Sequence, residues 1–453
     1  MEPDRQGEGL PRGVESRLAA YKALRRVHAT GAWSVQAVDS VLATAPLDAR
    51  DRAFAASLAY ETLRWQGTLD WALRQALNRP IEGVQPELVD ILRLGAWQLL
   101  RSGAPDSAAV GTCVDVARVE VGPQATGFVN GVLRGLARRK AQLPWPAEST
   151  DHGLGLALGY PEWVVASARE RFGDRARAVL EAGNVAPGVT LRAVGDRDAL
   201  IAELRAQGVP AEAGAAAAEA VRAPGAYPAE LPSVAEGRAV VQDEASMLVA
   251  HAVIAGLDAA HQPWKVLEVA AAPGGKAAHL ALMGAWVAGG DLRHSRARMV
   301  AATAARLGVE SNVAAVAADG LRPPWRRGAF DAVLLDAPCT GLGVVRRRPE
   351  LRWRRAADDP QRLAALQLGL LDASADLVRP GGWLVYSACT WTTAETLGVA
   401  TAFAAARGDR FAAEPLDGAL AGAGMRFASD PGTQLAPDRD GTDGMYVCGF
   451  RAS

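Results

Sequence analysis

An aspartate and a cysteine three residues apart, in a loop through which no strand could continue, are the first sign of chemistry in this chain. They are Asp336 and Cys339, in FDAVLLDAPCTGLGVVRRRPELRWRR at 330–355. The apolar run 332–335 reads as a buried strand. Pro338, Gly341 and Gly343 stop strand and helix alike, so a stiff loop leaves the strand's C-terminal end. In open α/β sheets that end is where ligands bind. Six arginines follow within 346–355: Arg346, Arg347, Arg348, Arg352, Arg354 and Arg355. A nucleophile, an acid and a flank that could hold phosphates point to chemistry on a nucleic acid. Taken alone, a cysteine after a buried strand is more often inert core, and an arginine run is usually a solvated face. Company elsewhere in the chain changes that balance.

A second thiol, Cys389, follows the strand-like WLVYSA, and Glu395 stands in the first turn of the helix after it. A thiol just before a helix N-terminus has its thiolate stabilised. If consecutive strands neighbour in a parallel sheet, Cys339 and Cys389 leave adjacent strand ends and meet Asp336 in one crevice. A third motif, VLEVAAAPGGK at 266–276, reads as strand, tight glycine turn and helix. It sets Ala270, Ala271, Ala272, Pro273, Gly274, Gly275 and Lys276 where a ligand can approach the backbone closely. Glu268, Asp291 and Asp319 end three successive strands in carboxylates. Asp291, 23 residues after Glu268, suits a ribose diol; Asp319 suits an adenine amino group. The chain has neither GxGxxG nor GxxxxGK[ST], which argues against a nicotinamide dinucleotide and a P-loop triphosphate. An adenosyl ligand with a charged amino-acid end, S-adenosyl-L-methionine, fits instead. The four cysteines show no CxxC spacing, and no metal site is expected.

The elements that must position these groups lie between 237 and 453, where strand and helix patterns alternate as in a doubly wound, mostly parallel sheet. Before it, 161–236 reads as a small α+β element without evident chemistry, and 143–160, rich in Pro, Gly and Ser, as a linker. From 16 to 142 the apolar spacing is helical throughout, a bundle of about six or seven helices. Residues 1–15 read as a disordered lead-in. Within 16–140 there are 16 Lys+Arg and 11 Asp+Glu, a net +5, whereas the whole chain carries −1. Any attraction to nucleic acid is therefore local. Only four of the 49 basic residues are lysine, so arginine richness by itself proves little. Cys113 and Cys448 read as core. Reduced thiols, no signal-peptide core and no membrane-length apolar run lead us to expect a cytoplasmic protein.

Taken together, VLEVAAAPGGK, the Asp291 strand end, ADG at 318–320, LLDAPCTGLGVVRRRPELRW, YSACTWTTAET and DGTDGMYVCGF resemble the RNA cytosine-C5 methyltransferases. FVNGVLRGLARRK, which closes the helical part, is similar to the end of the RNA-binding NusB-type fold. The whole resembles most the ribosomal RNA small-subunit methyltransferase B (Sun-type) family. Two residues depart from that pattern: Glu268 stands where the family usually has Asp, and Ala270 where it often has Cys. The resemblance implies a NusB-like bundle, a small α+β element and a Rossmann-like class I methyltransferase domain. It also implies a small-subunit rRNA partner and a monomer. Cytosine C5 is a poor nucleophile; a thiolate adding to C6 makes it enamine-like, so that it can accept a methyl group. Asp336 could hold N3–H and the exocyclic amine, and the six arginines the flanking phosphates. Spacing does not say which thiol attacks; the resemblance implies Cys389, with Cys339 assisting release of the methylated product. The same chemistry on tRNA, and a non-catalytic RNA-binding or antitermination role, are the alternatives.

Overall fold

The computed structural model describes residues 11, 13–420, 422–428 and 430–453. The expected lead-in lies mostly outside them. The chain forms two compact units. One takes residues up to Ala166 together with Arg348–Arg355, and the other takes Ser167–Arg347 and Ala356–Ser453.

The first unit is helical: α1 (Val14–Thr30), α2 (Ser34–Leu42), α3 (Ala49–Arg64), α4 (Gln66–Arg74), α5 (Pro86–Arg101), α6 (Asp106–Glu120), α7 (Thr126–Arg139) and α8 (Asp151–Leu158). Several helix ends are capped. Asp48 accepts from Asp51 N at 2.8 Å, Pro86 opens α5, and Gly31 ends α1 at φ +72°. Leu24, Leu58, Leu69, Ile91, Leu92 and Leu133 are wholly buried in one core. The linker read over 143–160 carries α8. Its glycines masked a helical run, which Thr150 caps by accepting from Gly153 N at 3.0 Å.

The second unit holds two sheets. The smaller is antiparallel, in the order β2 (Glu212–Ala213), β3 (Ala220–Ala223), β1 (Val189–Ala193) and β4 (Ala239–Val241). Strand β4 is the short strand that the pattern assigns to the following domain; its pairing with β1 puts it in the small sheet.

The larger sheet has the order β10-β12-β9-β8-β5-β6-β7. Its strands are β5 (Lys265–Val269), β6 (Trp286–Asp291), β7 (Val313–Ala317), β8 (Phe330–Asp336), β9 (Val378–Ala388), β10 (Phe411–Glu414), β11 (Thr433–Leu435) and β12 (Met445–Ala452). Strands β5 to β9 pair in parallel, β12 pairs antiparallel with both β9 and β10, and β11 pairs antiparallel with β12. The apolar run of β8 is fully buried, each of Ala332, Val333, Leu334 and Leu335 at 0% exposure, as a strand covered on both faces requires. Strand order reverses between β5 and β8, so a crevice opens at their C-terminal ends. This is the doubly wound domain the alternation predicts.

Candidate active site

Register alone brings the chemistry together. Strands β8 and β9 pair in parallel with Asp336 opposite Ser387, so the residues just beyond each strand leave the sheet side by side. Ser387 Oγ donates to Asp336 Oδ1 at 2.8 Å, and Lys276 Nζ to Asp336 Oδ2 at 2.7 Å. Lys276 is the first side chain after the glycine turn, so the cofactor loop and the acid are tied by an ion pair. Burial pulls the Lys276 ammonium down, but Asp336 and Glu268 hold it above its ordinary value. Beyond the strand ends, Cys339 Sγ and Cys389 Sγ lie 3.2 Å apart. The contact with Cys389, then burial, then the Glu395 and Asp336 carboxylates push the Cys339 thiol well above its ordinary value. Cys113 and Cys448 are buried in the two cores, as read.

What holds the two cysteine loops is Glu395, which spacing places only in a first helical turn. Its carboxylate is fully buried. It accepts from Thr340 N (2.8 Å), Thr340 Oγ1 (2.6 Å), Thr392 Oγ1 (2.8 Å) and Gln367 Nε2 (3.1 Å). Thr340 follows Cys339 directly and Thr392 comes three residues after Cys389, so one carboxylate spans both loops. A buried carboxylate needs such a set of donors to satisfy its oxygens. The helix begins with a wide, π-type turn over Ala394–Gly398, a form frequent at functional sites. Behind the loops, Gly343 N donates to Cys389 O (3.0 Å) and Gly444 N to Gly343 O (2.9 Å). A Cβ on Gly343 would lie 2.0 Å from Gly444 O, so glycine is required there.

The cofactor loop behaves as its glycines predict, with one surprise. Ala270 sits at φ +59°, a left-handed conformation that costs a non-glycine residue about 1 kcal/mol or more. Ala271 N donates to Gly290 O at 2.9 Å and Ala272 N to Asp291 Oδ2 at 3.3 Å, pinning the turn against β6. Pro273 follows, and its carbonyl accepts from Thr303 Oγ1 at 2.7 Å. Gly274 (φ +100°) caps the helix Gly275–Leu282. Beside the turn lies a cavity of about 490 Å³ whose walls include Ala270, Asp291, Asp319, Leu321, Trp325 and Leu366. Two carboxylates on a largely apolar wall, which also carries Arg293 and Arg296, fit an adenosine: a diol for one, a purine edge for the other. Asp291 also accepts from Arg296 Nε at 3.1 Å. The Arg296 side chain is half exposed, so ceding its place to a diol is inexpensive. Asp319 lies two residues beyond β7 rather than at its end, and accepts from Leu321 N at 3.0 Å.

Four of the six arginines expected to hold phosphates, Arg346, Arg347, Arg352 and Arg354, are engaged by acceptors within the protein. Arg346 and Arg347 both pair with Asp243 and Asp443. Arg347 Nη2 lies 2.7 Å from Asp243 Oδ2, and its Nε 2.9 Å from Asp443 Oδ2. Asp243 also caps the helix Glu244–Ala255, so this ring of charges anchors the chain that leaves Cys339. In the helical unit, Arg352 is 0% exposed and donates to Gly159 O (2.9 Å) and Tyr160 OH (3.2 Å). Arg354 Nη2 donates to Ala32 O (2.5 Å), and its guanidinium stands 5.1 Å from the Trp33 ring centre. Arg348 stands over the same ring at 5.4 Å, and Arg355 is partly exposed. Composition does not reveal burial, and the acceptors lie far away in sequence.

Comparison with known proteins agrees with this architecture. Residues 14–138 match the NusB family, 160–230 the ferredoxin-like domain of RsmF/B-like methyltransferases, and 255–451 the 16S rRNA methyltransferase RsmB/F model. A Mycobacterium tuberculosis protein named as a candidate methyltransferase, Rv1407, is 38% identical over 96% of both chains. The ribosomal RNA small subunit methyltransferase B of Xanthomonas campestris is 35% identical, again over 96% of each. The crystal structure of PH0851 superposes with a TM-score of 0.84 over 98% of this chain and 100% of that one, at 22% identity, a likeness of fold. On the relatives' identity and coverage, the chain belongs to the RsmB/F family of 16S rRNA methyltransferases.

Proposed function

We propose that this chain transfers the methyl group of S-adenosyl-L-methionine to C5 of a cytosine in small-subunit ribosomal RNA, through a covalent bond between Cys389 and C6. The observation that carries the reading is the meeting of two thiols, 3.2 Å apart, with a carboxylate salt-bridged to the lysine of the cofactor loop. When bound beside the turn at 270–276, the cofactor supplies an electrophilic methyl group. The chain's residues do the rest. Cys389 adds to C6 as the thiolate, the form of a cysteine that attacks. Asp336, fixed by Ser387 and Lys276, keeps acceptor capacity for N3–H and the exocyclic amine, which selects cytosine over uracil. Once the methyl group is on C5, the C5 proton leaves and the C6–S bond breaks, with the electron pair returning to sulfur. Cys339, whose sulfur lies 3.2 Å from that of Cys389, stands where it can assist this release, the role the family resemblance implies for it.

Two variants test the assignment. Cys389→Ala should lower transfer of labelled methyl to small-subunit rRNA by more than about 1,000-fold, as loss of a nucleophile does. Cys339→Ala should accumulate a denaturation-resistant protein–RNA adduct. An adduct in the first variant and none in the second would exchange the two roles. Bisulfite maps of rRNA and tRNA from a deletion strain locate the substrate: one rRNA cytosine should lose protection, and a change in tRNA alone would overturn the rRNA assignment.

A further inference from the structure

Far from the thiols in sequence, three side chains converge for which methyl transfer has no use. Glu219 precedes β3 of the small sheet, His251 lies on the helix Glu244–Ala255, and His279 on the helix Gly275–Leu282 that leaves the cofactor loop. Among the described residues these are the group of His, Cys, Asp and Glu whose ligand atoms all fall within 4.8 Å of one another. His251 Nε2 lies 3.1 Å from both Glu219 oxygens, and His279 Nε2 lies 3.1 Å from Glu219 Oε1. These separations suit two N–H···O hydrogen bonds. They also approach the edge of a tetrahedron with bonds of about 2.0–2.1 Å, which is about 3.3 Å. Two imidazole nitrogens and one carboxylate form a donor set that Zn²⁺ accepts, with a fourth position left for water.

We propose that Glu219, His251 and His279 bind a divalent transition-metal ion of the zinc class. The ion would tie the small sheet to the helix that opens with Lys276. The site is built rather than incidental: its three ligands come from three separate elements, and all are at least two-thirds buried, with side-chain exposures of 17% for Glu219, 28% for His251 and 5% for His279. The Arg192 guanidinium, buried nearby and donating through Nε to Gln242 Oε1 at 2.8 Å, opposes a divalent charge. His279 Nδ1 is buried without a hydrogen-bond partner, whereas metal-bound histidines usually donate that proton. A hydrogen-bonded latch with no ion is therefore the outcome to be separated.

The test uses the full chain, stripped with a chelator and titrated with Zn²⁺ against a competing dye, then with Co²⁺ for its visible spectrum. One equivalent should bind. The Co²⁺ spectrum should be that of a four-coordinate nitrogen and oxygen site, without the sulfur-to-cobalt absorption that Cys339 and Cys389 would produce. Glu219→Gln and His251→Ala should each weaken Zn²⁺ binding by more than about 100-fold, beyond what loss of an outer-shell group costs. His251→Ala leaves the Glu219–His279 contact in place and guards against a folding artefact, checked by circular dichroism of the stripped protein. Equal binding by wild type and variants, no binding, or a thiolate spectrum would each overturn the metal site.

Discussion

Glu268 shows how one residue choice alters the electrostatics of the cofactor loop. At 2% exposure it is almost wholly buried, and its Oε2 has no hydrogen-bond partner. Burial, with Asp336 and Asp291 adding, pushes its carboxyl up to about 8 against the opposing pull of Lys276. An unfolded glutamate titrates near ~4.3. Between these values the native state holds the proton and the unfolded state has lost it. This contribution to stability is therefore complete below about pH 4.3, falls as pH rises towards about 8, and is gone above it. Glu268→Gln keeps the shape and cannot ionise. The variant should match wild type near about pH 5 and exceed it at about pH 9 by an amount on the order of a few kcal/mol. Urea unfolding at the two pH values measures this. A constant offset between the proteins would mean that Glu268 does not titrate in that window.

At the scale of elements, the site is two strand-end loops clamped by one buried charge, and the clamp has its own signature. Glu395→Gln keeps the volume but replaces one acceptor oxygen with an amide that faces the donors around it. The loss should cost about 2–3 kcal/mol, the scale of a hydrogen bond to a charged group. Glu395 holds the two cysteine loops through Thr340 and Thr392, so its effect on rate would come through loop position. We expect kcat to fall at least about 10-fold with little change in the KM for S-adenosyl-L-methionine. A shift in KM alone, with kcat kept, would place Glu395 with the cofactor instead. The readable and unreadable parts of the site divide on physical grounds. Strand β8 is legible because four consecutive apolar residues have few other fates, and the meeting of Cys339 with Cys389 follows from β8 and β9 being parallel neighbours. Glu395 as a hub was not legible, since its donors come from Thr340, Thr392 and Gln367 on three segments. Helix α8 was hidden by its glycines, and β4 by its place just before a helix of the next domain. His251, His279 and Glu219 carry no local spacing to notice.

At the scale of the whole molecule, one compact unit is discontinuous in sequence: Arg348–Arg355 folds with the helical bundle. Within that unit Trp353 Nε1 donates to Leu63 O at 2.6 Å, and its ring lies so close to Gly67 that an added Cβ would be 2.5 Å away. Glu350 Oε1 accepts from Ser34 N at 3.0 Å, and Arg352 stacks 3.8 Å from the Tyr160 ring centre. Burial pulls the Arg352 guanidinium down to about 10. The segment thus acts as an internal part of the bundle, and this separates two roles for its arginines. A phosphate contact would reveal itself in salt dependence: removing one lowers the slope of log K against log salt by about 0.7–0.9. Arg352 has no exposed surface with which to make such a contact. Arg352→Met should therefore leave the salt slope of RNA binding unchanged while lowering Tm, because Gly159 O and Tyr160 OH lose their donor. Arg348→Ala, at an exposed position, is the matched control and should leave Tm nearly unchanged. If Arg352→Met flattened the slope by a full unit at constant Tm, the buried arginine would have to reach RNA, and the bundle would have to open to let it.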